Sequence, residues 1–113
     1  MTWEEILQRE DIVGGELESQ EDGGIYRGPI DRIWMEDGLV HISSVWIARL
    51  LPGSSSWEKW EANPFFFAPD MSSPQDIGQG RIHFDMPMMG HATIFPRDGS
   101  KLDPAKVKGL VVP

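Results

Sequence analysis

The chain has no cysteine among its 113 residues. Disulfides, thiolate metal sites and a cysteine nucleophile are therefore excluded. Small secreted domains commonly depend on disulfides, so this absence favours a reducing compartment. The N-terminal segment is acidic where a signal peptide would be basic, and no apolar segment follows it. We therefore expect a cytoplasmic protein.

Long apolar runs are also lacking. The densest apolar stretch, residues 40–51, is interrupted by one histidine, two serines and one arginine. It is well short of the roughly 20 apolar residues that a membrane-spanning helix needs. The length is that of one domain, and we expect residues 1–113 to form a single core.

Basic residues are scarce, with ten Lys and Arg against 18 Asp and Glu, which gives a net charge of −8. Residues 1–37 hold eleven of the acidic residues and only three arginines, so this segment carries the whole excess. Proteins that bind nucleic acids gain affinity by neutralising phosphates with Lys and Arg. We therefore expect neither nucleic acid nor an anionic membrane surface as a partner.

Catalytic and cofactor motifs are missing as well. The chain contains no nucleophile elbow and no glycine-rich loop that leads into Lys-Ser or Lys-Thr. Acidic pairs are present, but a chain this rich in acids supplies them by chance. The sequence therefore favours a non-catalytic protein over an enzyme, with no catalytic residues and no cofactor.

One stretch carries soft metal ligands, namely His83, Met86, Met88, Met89 and His91. Imidazole and thioether together suit copper. Strand alternation, however, directs His83 and Met86 to opposite faces, and methionine commonly fills gaps in cores. We therefore expect no metal site here.

Strand and helix signals begin at the N-terminus. Residues 2–10 are predicted to be a short helix, since Thr2 and Glu5 have the spacing of a capping box. Residues 16–24 are polar and are predicted to form a short edge strand and a turn. Residues 81–86 alternate between apolar and polar, and residues 91–95 are predicted to be the return strand.

The strongest signal is Asp37-Gly38, which predicts a β-hairpin because a type I′ turn needs positive φ at both central residues. Taking these two residues as the loop fixes the register and places Trp34 directly opposite His41. The same register has four more pairs: Glu36–Leu39, Met35–Val40, Ile33–Ile42 and Ile30–Val45.

Alternation then gives the hairpin two apolar faces. One face is expected to carry Ile33, Met35, Val40, Ile42 and Trp46, with Trp46 in the core. The other is expected to carry Ile30, Trp34, His41, Val45 and Ile47. A strand pair that is apolar on both sides is buried on both sides or uses one side for binding.

The remaining segments are turns and one helical turn. Residues 52–80 are predicted to be irregular, with apolar islands at 57–60 and 64–67. Asp103, Pro104 and Gly109 predict a final helical turn with an N-cap and a glycine stop. The whole pattern is mainly β: a short N-terminal helix, five to six short strands and a C-terminal helical turn. It is typical of a small antiparallel barrel, SH3-like or Sm-like.

Four of the five tryptophans lie between residues 34 and 60. Trp57 and Trp60 have i, i+3 spacing, which also fits one helical turn covering a barrel end. Aromatic residues are the usual anchors of binding surfaces. The candidate ligand-binding or partner-binding residues are Trp34, His41, Trp57 and Trp60.

Two functions follow from these features. The first is a non-catalytic binding module or complex subunit that meets a protein partner, or a second copy in a homodimer, through its Trp-rich face. The alternative is a small enzyme or small-ligand carrier with a pocket in the barrel mouth. A flat apolar patch would favour the first, and a closed pocket containing Trp34, His41 and acids would favour the second.

Overall fold

The computed structural model describes residues 1–62, 65–87 and 90–111. The chain is mainly β, with 48% of it in strands. The elements, in order, are α1 Trp3–Leu7, β1 Glu16–Glu21, β2 Gly24–Pro29, β3 Arg32–Glu36, β4 Leu39–Ser43, β5 Ile47–Leu50, β6 Trp57–Trp60, β7 Phe65–Phe67, β8 Gln75–Gly78, β9 Arg81–Met86, β10 Gly90–Phe95 and β11 Val107–Lys108. Two 3-10 turns occupy Pro69–Met71 and Pro104–Lys106.

The strands form two sheets. The larger has the order β11-β6-β5-β2-β1-β10-β9-β8, and the smaller has the order β3-β4-β7. All pairings are antiparallel except that of β11 with β6. Within the described residues both sheets are open, so the prediction of a closed barrel is not confirmed. The strand number was underestimated: residues 52–80, predicted to be irregular, contain β6, β7 and β8, and β2, β5 and β11 were also not predicted as separate strands.

The Asp37-Gly38 hairpin is confirmed. Both residues have positive φ, 53° and 76°, as a type I′ turn requires. The ladder pairs Trp34 with His41, and Ile33 with Ile42, in the predicted register. The hairpin therefore presents alternate side chains to opposite faces as expected.

The far end of the hairpin differs from the prediction. Ile30 does not pair with Val45; its backbone N–H donates to the carbonyl of Gly15, and its side chain is buried in the core. Val45 is 75% exposed. Trp46, which was predicted to be core, lies between β4 and β5 and is only half-buried. The chain leaves the ladder after Ser43, so alternation no longer applies to these residues.

Helix α1 covers one end of the core. Thr2 and Glu5 form the predicted capping box, but the helix ends at Leu7 rather than near residue 10. Trp3 and Ile6 are buried, and the Trp3 indole N–H donates to the carbonyl of Ser72 at 2.7 Å. Tertiary packing of these two side chains therefore holds a helix too short to be stable alone.

The predicted alternation of residues 81–86 is confirmed: Ile82, Phe84 and Met86 are buried, and the strand pairs with β10 as expected. The predicted C-terminal helical turn forms as a 3-10 turn, with the Asp103 carboxylate accepting from the Ala105 N–H. Met88 and Met89 lie outside the described residues.

Strand β1 was predicted to lie at an edge, and this is wrong. It is a central strand between β2 and β10. Its acidic residues are accommodated because the Arg27 side chain from β2 lies across Glu16 and Glu18. Leu17 and Ser19 alternate with them and face the interior.

No helix in the described ranges has both the length and the apolar character needed to cross a membrane.

Candidate functional site

The outer surface of the three-stranded sheet carries a row of aromatic side chains. Trp34 and His41 stack with ring centroids 5.0 Å apart and an interplanar angle of 15°. The His41 ring lies 5.6 Å from Phe66 of β7, and the guanidinium of Arg32 lies 4.3 Å from the Trp34 ring. We refer to Arg32, Trp34, His41 and Phe66 as the aromatic face.

The aromatic face is open to solvent. Phe66 is 53% exposed, and Trp34 and His41 are half-buried. Alternate residues of the same strands, Val40 and Ile42, point into the core. None of its residues lines the cavity between the two sheets.

That cavity lies where the two sheets meet and has a volume of about 280 Å³. We call it the inter-sheet cleft. Its walls come from β1, β2, β5 and β6 of the large sheet and from β4 and β7 of the small one. The lining residues are Leu17, Ser19, Glu21, Tyr26, Arg27, Gly28, Ile42, Ser44, Ile47, Trp60, Glu61 and Phe65.

Aromatic and aliphatic groups form most of the cleft wall. The Tyr26 and Trp60 rings lie 6.5 Å apart in an edge arrangement. The Arg49 guanidinium lies 3.5 Å from the centre of the Trp60 ring and is also paired with Glu58. Trp60 nevertheless remains 39% exposed.

The polar side of the cleft is supplied by β1. Ser19 is only 8% exposed as a residue and lines the cleft. Glu21 lies two residues further on the same face. Burial, and then the neighbouring charge of Asp22, raise the pKa of the Glu21 carboxyl above its ordinary value. Both effects disfavour the charged form of the carboxyl group, and its pKa therefore rises.

Arg27 contributes to the cleft wall, but its charge is used elsewhere. Its guanidinium bonds to Glu16, Glu18 and the carbonyl of Ser100, and it lies over the Phe95 ring. These partners belong to the opposite face of the large sheet, as the pairing of Glu18 with Arg27 shows. The positive charge is therefore neutralised outside the cleft.

The four residues predicted to form one site are divided among three places. Trp34 and His41 share the aromatic face, while Trp60 lines the inter-sheet cleft. Trp57 points to the other side of β6, beside Val107 of β11. The helical turn considered for residues 57–60 is wrong: they form a strand, in which i, i+3 spacing places the two tryptophans on opposite faces.

His83 and His91 lie together on the outer surface of β9 and β10, with ring centroids 5.2 Å apart. The Nε2 of His83 lies 3.4 Å from a carboxylate oxygen of Asp85. Met86 points into the core, on the other side of the sheet. In the described parts of the chain, no group of three or more His, Asp or Glu is arranged to hold a metal ion.

Sequence reasoning missed Phe66 and the polar residues of the cleft. Residues 64–67 were identified as an apolar island. Had they been predicted as a strand, alternation would have placed the Phe66 side chain on one face and the side chains of Phe65 and Phe67 on the other. Glu21 and Tyr26 carried no local signal, because their meeting with Trp60 depends on the order of four strands.

Comparisons with protein families, with curated proteins and with solved structures find no match to this chain.

Proposed function

We propose that the chain is a non-catalytic interaction module that pairs with a second copy of itself along the β3 edge. The observation that carries this proposal is the self-complementary charge pattern of β3, which begins at Arg32 and ends at Glu36. Strand β3 lies at the edge of the small sheet in the described residues. Edge strands present unpaired backbone groups that another strand can bind.

Antiparallel pairing of two β3 strands about Trp34 brings opposite charges together. In that register, Arg32 of each copy lies opposite Glu36 of the other. Opposite charges in directly facing positions stabilise strand pairs, whereas like charges destabilise them. The two ends of the strand thus favour this register and disfavour a shifted or parallel one.

The backbone supports the same pairing. In a two-residue hairpin the residues that flank the turn form a hydrogen-bonded pair, and bonded pairs then alternate along the ladder. Trp34 therefore bonds to His41, while the N–H and C=O groups of Ile33 and Met35 point away from β4. Ile33 of one copy faces Met35 of the other, so these free groups bond across the two-fold axis.

The aromatic face gives such a pairing its apolar contact. Two copies of Trp34 meet at the axis, and His41 and Phe66 extend the row on each side. A two-fold pair has the same patch on both subunits, and it closes after one contact. The row of exposed rings becomes one continuous surface of a six-stranded sheet.

Sedimentation equilibrium tests this proposal. We expect the wild type to reach twice the monomer mass of 12.7 kDa. Arg32→Glu or Glu36→Arg alone should weaken the dimer by about tenfold or more, because each creates two facing like-charge pairs. The combined R32E/E36R variant should restore it, and Lys59→Glu on β6 serves as the matched control.

Circular dichroism shows whether each variant keeps its strands. A loss of dimerisation can therefore be distinguished from a loss of folding. A wild type that stays monomeric at millimolar concentration contradicts the proposal. So does a combined variant that remains as weak as the single ones.

A second candidate function is that of a small-ligand carrier, and the inter-sheet cleft favours it. The cleft has a volume of about 280 Å³ and combines aromatic and aliphatic walls with the polar side chains of Ser19 and Glu21. His41, His83 and His91 all lie outside it, so no imidazole is available there for acid–base catalysis. The aromatic and aliphatic walls of the cleft favour the binding of a small ligand.

A further inference from the structure

We infer that the inter-sheet cleft binds a small organic cation, an ammonium group carried on an apolar body. The inference rests on the second candidate function and specifies its ligand. It is independent of pairing along β3, because none of the residues of the aromatic face lines the cleft.

The charges around the cleft exclude an anion. Glu21 and Glu61 line it, and the cationic residues nearby are already paired. Arg27 is held by two carboxylates on the far side of the sheet, and Arg49 is paired with Glu58. A ligand in the cleft therefore meets net negative charge in surroundings with reduced access to water, which favours a cation.

The aromatic residues favour the same ligand. Tyr26, Trp60 and Phe65 all contribute to the walls. Aromatic ring faces attract ammonium and guanidinium groups, and groups of such rings recognise organic cations. The contact between Arg49 and Trp60 shows that this indole already accepts one cation. Tyr26, which is paired with Ser19 across β1 and β2, brings an aromatic ring to the polar side of the cleft.

The hydrogen-bonding groups define where the ammonium lies. Ser19 and Glu21 stand two residues apart on one face of β1, and both line the cleft. An ammonium placed between them can donate to both the hydroxyl and the carboxylate. A charge-assisted bond to the carboxylate is about twice as strong as a neutral one.

The opposite end of the cleft is apolar and accommodates the body of the ligand. Leu17, Ile42 and Ile47 line this part. A volume of about 280 Å³ lies at the lower limit of the roughly 300–1,000 Å³ typical of ligand pockets, which indicates a small ligand. Phenethylammonium combines the required cation with an apolar ring of suitable size.

Isothermal titration calorimetry with three matched compounds tests the inference. Phenethylammonium is the cation, 2-phenylethanol its neutral counterpart, and phenylacetate its anionic counterpart. We expect the cation to bind at least about tenfold more tightly than the alcohol, since a charged pair replaces a neutral hydrogen bond. Phenylacetate should show no binding.

Two variants locate the binding site. Glu21→Gln keeps the shape of the side chain but removes its charge, and should abolish the preference for the cation over the alcohol. Ser19→Ala should weaken both compounds. Glu4→Gln, on the exposed side of α1, is the matched control and should bind as the wild type does.

The outcomes distinguish this inference from the carrier function on which it rests. If the alcohol binds as well as the cation, or if Glu21→Gln retains the preference, the cation class is wrong while the pocket stands. If none of the three compounds binds at millimolar concentration, both the ligand class and the carrier function fail.

Discussion

Arg27 is the side chain whose removal should reveal most about the stability of the large sheet. Its Nε donates to Glu16 at 2.6 Å, and its two terminal nitrogens reach Glu18 at 3.3 Å and the carbonyl of Ser100. The Glu16 side chain is only 4% exposed. Arg27→Met keeps the aliphatic stem and its packing on Phe95, but leaves this carboxylate without its cation.

The expected cost follows from the burial of Glu16. Breaking a buried ion pair by removing one partner typically costs about 3–5 kcal/mol, because the other charge stays buried. Glu16 keeps two contacts from the Leu102 N–H, at 3.0 and 3.1 Å, and the Arg27 side chain is itself 12% exposed. Both facts reduce the loss, so we expect about 3 kcal/mol, against a total stability of about 5–15 kcal/mol for a domain.

Urea denaturation followed by tryptophan fluorescence measures the free energy of unfolding. Arg81→Met is the matched control, since among the described residues the Arg81 guanidinium bonds to the backbone carbonyls of Ile77 and Gly78 and to no carboxylate. It should cost well under 1 kcal/mol, roughly the exposed-site range. Adding Glu16→Gln to Arg27→Met should recover part of the loss by removing the buried charge. A cost below about 1 kcal/mol for Arg27→Met, or simple additivity of the two changes, would refute this reasoning.

Two further predictions concern the core and the cleft. Phe84 is fully buried and contacts Trp3 and Phe67, so Phe84→Ala should lower the free energy of unfolding by about 3–5 kcal/mol, whereas Phe66→Ala at an exposed position should cost far less; similar losses for the two would contradict the assignment of the core. Glu21 has a raised pKa in the folded state, so its ionisation destabilises the fold at neutral pH. This cost begins to fall as the pH drops below the folded-state pKa, and it is gone below the pKa of Glu21 in the unfolded chain. Glu21→Gln should therefore raise the urea midpoint at neutral pH but not in acid, and an unchanged midpoint at both would show that the carboxylate is not desolvated.

Turn, capping and alternation rules predicted the elements that a few neighbouring residues determine. The turn residues Asp37 and Gly38 fix both the hairpin and its register, and the capping box fixes the start of α1. The alternation of residues 81–86 identifies the buried face of β9. In each of these cases, a few neighbouring residues carry the whole signal.

The elements that were missed depend on distant partners. Strands β6, β7 and β8 are each only three or four residues long, and a loop composition surrounds them. The acidic sequence of β1 resembles an edge strand unless Arg27 is known to lie across it. Local rules also break down after Ser43, which is why Ile30, Val45 and Trp46 were misplaced.

The candidate site likewise has residues that local sequence predicts and residues that only the strand order brings together. Trp34 and His41 were predicted as neighbours because one turn determines their pairing. Phe66 joins them only through the pairing of β7 with β4, and the cleft arises only when β1, β2, β5 and β6 have assembled. Composition pointed to tryptophan as a binding residue, but only topology separates Trp57 from Trp60.

The position of β1 between β2 and β10 has a consequence for how the chain folds. Residues 16–20 can pair with β2 as soon as the first hairpin emerges, but their other partners are residues 91–95. Pairings so distant in sequence slow folding, because the loop must close before the contact stabilises it. During synthesis, the edge of β1 that pairs with β10 therefore stays unpaired until residues 91–95 have been made. Net charge far from zero disfavours association between chains, so the excess of acidic residues in the segment 1–37 should keep unfinished chains apart during that interval.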